Sequence, residues 1–482
     1  MKLLLVEPPK RFWFVMGEYL PPPYNLLILA AVVEKELPEI EVKIIDCQAE
    51  KLDWEKLGEQ IRRERPDIIG SGSHATCNVY KTVRTLDLAK QIDPEIISIT
   101  GGSHFTMLDE ETLTQYPHID IIVRYEAEKA LVGLLKHFQT HGCSTDKLEK
   151  VQGIAFKRND EFRRTTDYSP LTSEELENLP YPAYHLLQDM NQYHFAMMSD
   201  VPYILLEGSR GCTHNCTFCS QTTFYRRHWN TKSVNRIADE MEWMYNTFGS
   251  RFFWFTDDNF CGGRPKLIEE LCQEMFSRGL NGDEIEWFAQ MRVDSILKVG
   301  DGLATMNRAG NYWQLVGGES PFTEVLDSYQ KGIRGNQTVD AIELLRKNNI
   351  LAQLMIMLGH ETETRESIQQ TMEWATDVVK PDFIITMLVT PYPGTPMYED
   401  LYTKGHIIDY NWTNYDMIHA VCDMKYLTAA ELQEELYKAY RHVYDSWSRR
   451  FRGIFAKNKY KRRIFWYYFK AGVIGQLKRL IP

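Results

Sequence analysis

Three of the nine cysteines in this 482-residue chain fall within one eight-residue stretch, CTHNCTFC, as Cys212, Cys216 and Cys219. Thiolates are soft ligands. Three on one loop can bind three irons of a four-iron cluster and leave the fourth iron open, which chemistry on a bound substrate requires. Two other readings stay open on spacing alone. One is a structural zinc site, which wants four ligands and would take His214 or His228 as the fourth. The other is a set of buried free thiols. The remaining cysteines are scattered (Cys47, Cys77, Cys143, Cys261, Cys272, Cys422) and the total is odd, so a disulfide framework is not expected.

Further along the chain, several polar segments close apolar runs. Gly317, Gly318, Glu319 and Ser320 follow YWQLV; TDDNF (256–260) follows RFFWF; QMRVD (290–294), with Arg292, follows IEWFA. MLGHETET (357–364) and TPYPGTP (390–396), with Pro391, end two later runs. Each has a plain structural alternative: a turn at Gly-Gly-Glu, an Asp cap on a helix, a rigid proline loop. Two loops nearer the start are rich in small residues, GSGSHAT (70–76), with Ser71, Ser73 and Thr76, and GGSHFT (101–106), with Gly101 and Gly102. Such loops let a large planar ligand and its nucleotide tail approach the backbone. No G-x-G-x-x-G follows a strand, which disfavours a nicotinamide cofactor.

The elements needed to position these residues are legible as alternation. Over 1–140, strand-like runs (MKLLLVEPP, EVKIIDCQ, DIIGSGS, EIISITGG, DIIVRYE) are separated by helical segments, which predicts a doubly wound, Rossmann-like parallel sheet. Residues 141–198 lack a clean period and read as a linker with a minor sheet. Over 199–400, six strand candidates alternate with helices, predicting a partial (β/α)6 barrel whose loops carry the cysteines and the polar segments. Residues 401–482 read as a helical C-terminal region with a basic tail.

C-x3-C-x2-C with an aromatic, Phe218, before the last cysteine resembles the radical S-adenosylmethionine (SAM) enzymes. The order of the later segments agrees: GGES is similar to the segment that holds the methionine amino group and ribose, and TPYPGTP to the strand-six adenine segment. MLGHETET departs from the usual strand-five pattern, with Met357 and Gly359 in place of a glycine and a proline. The front unit resembles the cobalamin-binding domain of the cyclase-like class, similar to anaerobic magnesium-protoporphyrin ester cyclase and to the glutamine C-methyltransferase of methyl-coenzyme M reductase. Its RYEAEK keeps Glu126 and Glu128, with Tyr125 replacing a glycine. The resemblance covers most of residues 1–400. It implies a [4Fe-4S] cluster on the three cysteines and SAM held by Phe218, Arg292, 317–320 and Pro391. It further implies cobalamin held by Ser71, Ser73, Thr76, Gly101, Gly102 and Glu126. Asp-x-His-x-x-Gly is absent, which implies cobalamin without that lower histidine; His74 and His104 lie in the cobalamin loops and could reach the metal. The implied activity is methyl transfer from methylcobalamin to an unactivated carbon, of a small molecule or of a protein side chain such as glutamine. An external electron donor is then required. The alternatives are a cyclase or oxidase acting on a tetrapyrrole, and a non-catalytic iron–sulfur scaffold.

Hydrophobic residues at 44% and charged residues at 25% exclude a mainly disordered chain. No apolar run reaches the roughly 18 residues of a transmembrane helix, and the first apolar run is too short for a signal peptide, so a cytoplasmic location is expected. Residues 446–482 hold 11 Lys and Arg and no Asp or Glu, leaving 44 basic against 66 acidic residues, a net of −22, on 1–445. So acidic a body is not expected to bind nucleic acid. For the tail the favoured reading is a helix packed across the body, its aromatics buried and its charges meeting the acidic surface; contacts with a membrane surface, an acidic protein or RNA are the alternatives.

Overall fold

The computed structural model describes residues 1–10, 19–72, 75–145, 147–195, 202–444 and 453–480. Two parallel sheets follow one another along the chain. The front sheet is ordered Glu41–Asp46, Lys2–Glu7, Ile68–Gly70, Ile97–Gly101, Ile121–Val123, all parallel, and is then extended by Ile154–Arg158 and Glu161–Arg164. The chain order therefore reverses between Lys2–Glu7 and Ile68–Gly70, and a ligand of an open α/β sheet sits beyond the carboxyl ends at such a reversal. These strands bury side chains on both faces: Leu3 and Leu5 join one cluster of core residues, Leu4 and Val6 another. That is why they read as continuous apolar runs.

The hairpin expected as a separate minor sheet pairs antiparallel with the front sheet instead, Ile121 opposite Phe156. Its buried Ile154, Ala155 and Phe156 cover an edge that would otherwise be left open. The front sheet thus reaches Arg164, beyond the boundary expected near residue 140.

The second sheet holds Tyr203–Leu206, Phe252–Phe255, Glu286–Arg292, Asn311–Glu319, Leu351–Leu358 and Phe383–Leu388, parallel and in chain order. This is the expected six-stranded partial barrel, with helices such as Val234–Phe248, Pro265–Ser277 and Gly335–Lys347 between its strands. Its amino-terminal end is filled by aromatics: Trp313 stacks on Phe288 at 5.3 Å and on Phe195 at 6.2 Å. One continuous apolar core runs from Leu3 of the front sheet through the barrel to Ile464.

The C-terminal region joins the two sheets. Leu388 N donates to the carbonyl of Met417 at 2.8 Å, while Trp412 of the same segment packs edge-on against His104 of the front unit at 4.8 Å. Helix Ala429–Tyr444 lies on the last strand, its Tyr440 hydroxyl donating to the carbonyl of Thr386.

Candidate active site

The three cysteines lie on the loop between the short strand Ser209–Gly211 and helix Ser220–Phe224, at the carboxyl end of the barrel. Cys216 is buried, Cys212 and Cys219 are half-buried, and all three are free thiols. Backbone bonds shape the loop: Cys219 N donates to the carbonyl of Cys216, and Thr217 N to that of Tyr329. Arg292 Nη1 donates to Sγ of Cys216 at 3.5 Å, while its Nη2 donates to the Lys331 carbonyl and its Nε to Asp294. Burial raises the Cys219 thiol to about 11 and also raises that of Cys212. Those two thiols are therefore protonated near neutrality when metal-free, and metal loading must release their protons.

A single zinc ion at about 2.3 Å from each sulfur draws its ligands within about 4 Å of one another. Among the described residues no group of three or more His, Cys, Asp or Glu side chains is gathered to hold such an ion. His228 is exposed, with its Nδ1 beside the Arg226 carbonyl. The donor set is three thiols spread along one loop with a guanidinium beside the middle one, and it fits a cluster of net negative charge.

Glu319 ends its strand at the left-handed φ of +58°, an uncommon conformation for a residue with a side chain. Its carboxylate accepts from Lys331 Nζ at 2.6 Å, and both groups are buried. A Cβ on Gly317 would lie 2.6 Å from Glu319 Oε1 and 2.8 Å from Lys331 Nζ, so only glycine leaves room for this pair. Gly318 faces the other way, where a Cβ would meet Leu354 and Thr338. Ser320 is fully buried and its Oγ accepts from Phe322 N. Phe218 lies edge-on to Tyr329 at 5.4 Å, with Lys331 Nζ 5.6 Å from its ring centre. The structure thus gathers Cys216, Phe218, Arg292, Glu319 and one residue the sequence reading missed, Lys331. That lysine stands 12 positions after Glu319 in a loop, with no motif to mark it. A cavity of about 280 Å³ opens beside this group, lined in part by Thr217, Tyr329, Gly359, His360 and Val389. Glu363 fixes its strand-five wall by accepting from the amides of Gly359 and His360.

Across the crevice, the two small-residue loops of the front sheet abut: a Cβ on Gly72 would lie 3.3 Å from the Gly101 carbonyl, and one on Gly101 would lie 2.8 Å from that of Val123. Ser71 Oγ, Thr100 Oγ1 and His104 Nδ1 are buried here without a hydrogen-bond partner. Such orphaned atoms are rare in a finished interior and mark a place where a polar ligand belongs. Thr76 is buried in the following turn, whereas Ser73 and His74 lie outside the described residues. Glu126 does not stand free at the crevice: it accepts from Leu171 N and pairs with Arg210 Nη1 at 3.0 Å. Arg210, two residues before Cys212, also pairs with Glu128 at 2.7 Å and with Glu207 at 2.8 Å, all buried or nearly so. The strand-six loop reaches the front unit directly, Gly394 against Met107, with Pro391 buried beneath.

Burial holds the His104 imidazole down to about 3. The unfolded chain takes up this proton near pH 6.5 and the native state does not, so the stability involved is complete above about 6.5 and is lost as pH falls toward 3. At pH 4.5 the loss is about 2.7 kcal/mol. In His104→Phe, the drop in unfolding free energy between pH 7 and 4.5, from denaturant titrations, is expected to shrink by about this amount. An unchanged drop assigns the acid sensitivity elsewhere.

Residues 16–135 match the B12 binding domain family, and residues 206–375 match the radical SAM superfamily. The uncharacterized methyltransferase PH0819 of Pyrococcus horikoshii is 30% identical over 453 residues, covering 92% of each chain. This chain belongs to the cobalamin-dependent radical SAM enzymes. The anaerobic magnesium-protoporphyrin IX monomethyl ester cyclase of Cereibacter sphaeroides is 28% identical over 424 residues, 88% of this chain and 67% of the cyclase. The fold is that of the cobalamin-dependent SAM radical enzyme OxsB, solved with aqua-cobalamin and SAM, at a TM-score of 0.72 and 16% identity over 98% of this chain and 71% of that one. Cobalamin, a [4Fe-4S] cluster and SAM are therefore the cofactors of the chain. The orphaned atoms of the front crevice and the thiol loop are the places the structure offers for the first two.

Proposed function

We propose that this radical SAM methyltransferase is a C-methyltransferase that acts on an unactivated carbon held between the two cofactor cradles. The observation that carries the reading is the meeting of the two cradle-bearing units: the Cys212–Cys219 loop lies at the barrel's carboxyl end, and the strand-six loop at that end abuts the front unit at Gly394 against Met107, one residue past the 101–106 segment. When bound, the cluster supplies one-electron cleavage of SAM, and cobalamin supplies the methyl group. The chain's own work is to hold, orient and exclude water. Cys212, Cys216 and Cys219 bind the cluster. Glu319 and Lys331, already a matched pair, receive the ammonium and the carboxylate of the methionine moiety respectively, and Phe218 and the strand-five and strand-six ends enclose the adenosine. Ser71, Thr76, Gly101 and Gly102 cradle cobalamin. Glu126 serves the site through Arg210.

The substrate is a small molecule or a protein side chain such as glutamine. The enzyme works in the cytoplasm with an external electron donor. Anaerobic reconstitution with all three cofactors and a reductant, followed by mass spectrometry of candidate substrates, tests the reading. Methylated product with both S-adenosylhomocysteine and 5′-deoxyadenosine is expected. A dehydrogenated or ring-closed product without S-adenosylhomocysteine would favour the cyclase reading, which the relationship to the protoporphyrin ester cyclase keeps in view.

Glu319→Gln and Lys331→Met are each expected to weaken SAM binding about ten- to a hundredfold, the loss of one charge-assisted hydrogen bond of roughly 1.5–3 kcal/mol. Isothermal titration on the cluster-loaded protein measures this. Each single change also leaves a buried charge unpaired, so the double variant is the control: it regains melting temperature but not affinity. Wild-type affinity in the double variant makes the pair purely structural. Ser320→Ala is expected to have the smaller effect, since its Oγ already serves the Phe322 amide.

A further inference from the structure

We propose that the solvent face of the C-terminal helix docks the enzyme onto an anionic lipid bilayer. Helix Lys459–Leu480 is about 33 Å long. Its first turns are fixed to the amino-terminal rim of the barrel. Tyr460 packs on Tyr312 with ring centres 4.5 Å apart, Phe465 stacks on Phe383 at 5.8 Å, Ile464 is fully buried, and Lys461 pairs with Asp382 at 2.5 Å. That accounts for one side of the helix.

The other side is a single sector in which cations and an aromatic alternate. Arg462, Arg463, Trp466 and Lys470 follow at helical spacing and all are exposed, Trp466 at 44%. Phe455, on the approach to the helix, is 80% exposed beside exposed Lys457.

Charge selects the partner. Residues 446–482 hold 11 basic and no acidic residues, on a body of net −22. That body is repelled by any polyanion, so only a surface met by the tail alone can be held. The phosphates of a nucleic acid would satisfy the arginines but leave Trp466 and Phe455 in water. A bilayer interface accepts both, with the rings at the acyl boundary and the cations at the headgroups. No helix among the described residues is long and apolar enough to cross a membrane, so the contact is peripheral. It lies at the opposite end of the barrel from the cysteine loop, so the site of chemistry faces away from the lipid.

The test is sedimentation of the full-length, cofactor-loaded protein with vesicles of phosphatidylcholine alone and with phosphatidylglycerol added. Binding to the anionic vesicles only is expected. It should fall as ionic strength rises from about 0.1 to 1 M, which shortens the Debye length from about 10 to 3 Å. Reversing Arg462, Arg463 and Lys470 together to Glu should weaken it about a hundredfold or more, and Trp466→Ala by roughly tenfold, with cluster content and melting temperature unchanged. Equal binding to both vesicle types, no binding, or charge-independent binding overturns the proposal. So does capture of a mixed-sequence RNA in place of vesicles, which would make the face a nucleic-acid surface.

Discussion

Protein in which Cys212, Cys216 and Cys219 are all alanine is expected to purify colourless after anaerobic reconstitution, with neither bound iron and sulfide nor 5′-deoxyadenosine on reduction. The reason is the donor inventory. The three thiols share one eight-residue loop, and the side chain bonded to Cys216 Sγ, the Arg292 guanidinium at 3.5 Å, is a donor that cannot ligate a metal. His214, half-buried, is held near 4 by burial and by that same guanidinium, and would have to stand in for three lost thiolates. Activity should fall by the whole of the catalysed rate, since the radical cannot form without the cluster. Melting temperature should change little by comparison, because only Cys216 is fully buried. Iron and sulfide surviving at stoichiometric levels in the triple variant would sink the assignment, as would a one-to-one zinc content in the wild type.

Arg210→Met is expected to cost about 3–5 kcal/mol of stability, the usual result of removing one partner from a buried charge cluster. Here three carboxylates, those of Glu126, Glu128 and Glu207, depend on one guanidinium, and burial already pushes the Glu126 carboxyl up. Thermal denaturation should show a drop of roughly 3–5 °C for a chain of this size. The charge account makes a second demand: adding Glu126→Gln and Glu128→Gln to Arg210→Met should restore a large part of the loss, since the stranded charges are then gone. A triple variant less stable than the single one would mean that packing of the arginine side chain, not its charge, is what matters. Cobalamin content is a useful companion measurement, because Glu126 and Glu128 begin the helix Ala127–His141 on the front unit while Arg210 leads into the cysteine loop.

Much of this architecture is legible in the sequence where one residue type has one physical use. Parallel strands buried on both faces read as unbroken apolar runs, so all six barrel strands stand out, and the thiol triplet has few competing explanations. Gly317 is legible as part of a motif, although what crowds it, the paired Glu319 carboxylate and Lys331 ammonium, is not. Pairings between segments distant in sequence leave no local trace. The antiparallel partner of Ile121–Val123 is a hairpin beginning 31 residues later, and its short strands read as a linker because an edge needs little periodicity. Glu126 shows the same limit from the other side. Its motif marks it as important, but only the fold reveals that its carboxylate faces an arginine 84 positions on. Trp412, in a stretch with no motif, turns out to cover His104.

That last contact also sets a schedule. The front sheet is complete once Arg164 has been made, but the Trp412 side of its crevice comes from a segment roughly 250 residues later. At the usual 5–20 residues per second the nascent chain spends about 12–50 s with His104 and its neighbouring orphaned atoms uncovered. During that interval the cradle of the front unit is open to the cell while the barrel behind it is still being synthesised. A corrin that meets the chain in that interval finds the Trp412 side of the cradle open. Afterwards, entry from that side requires the Trp412 contact with His104 to part.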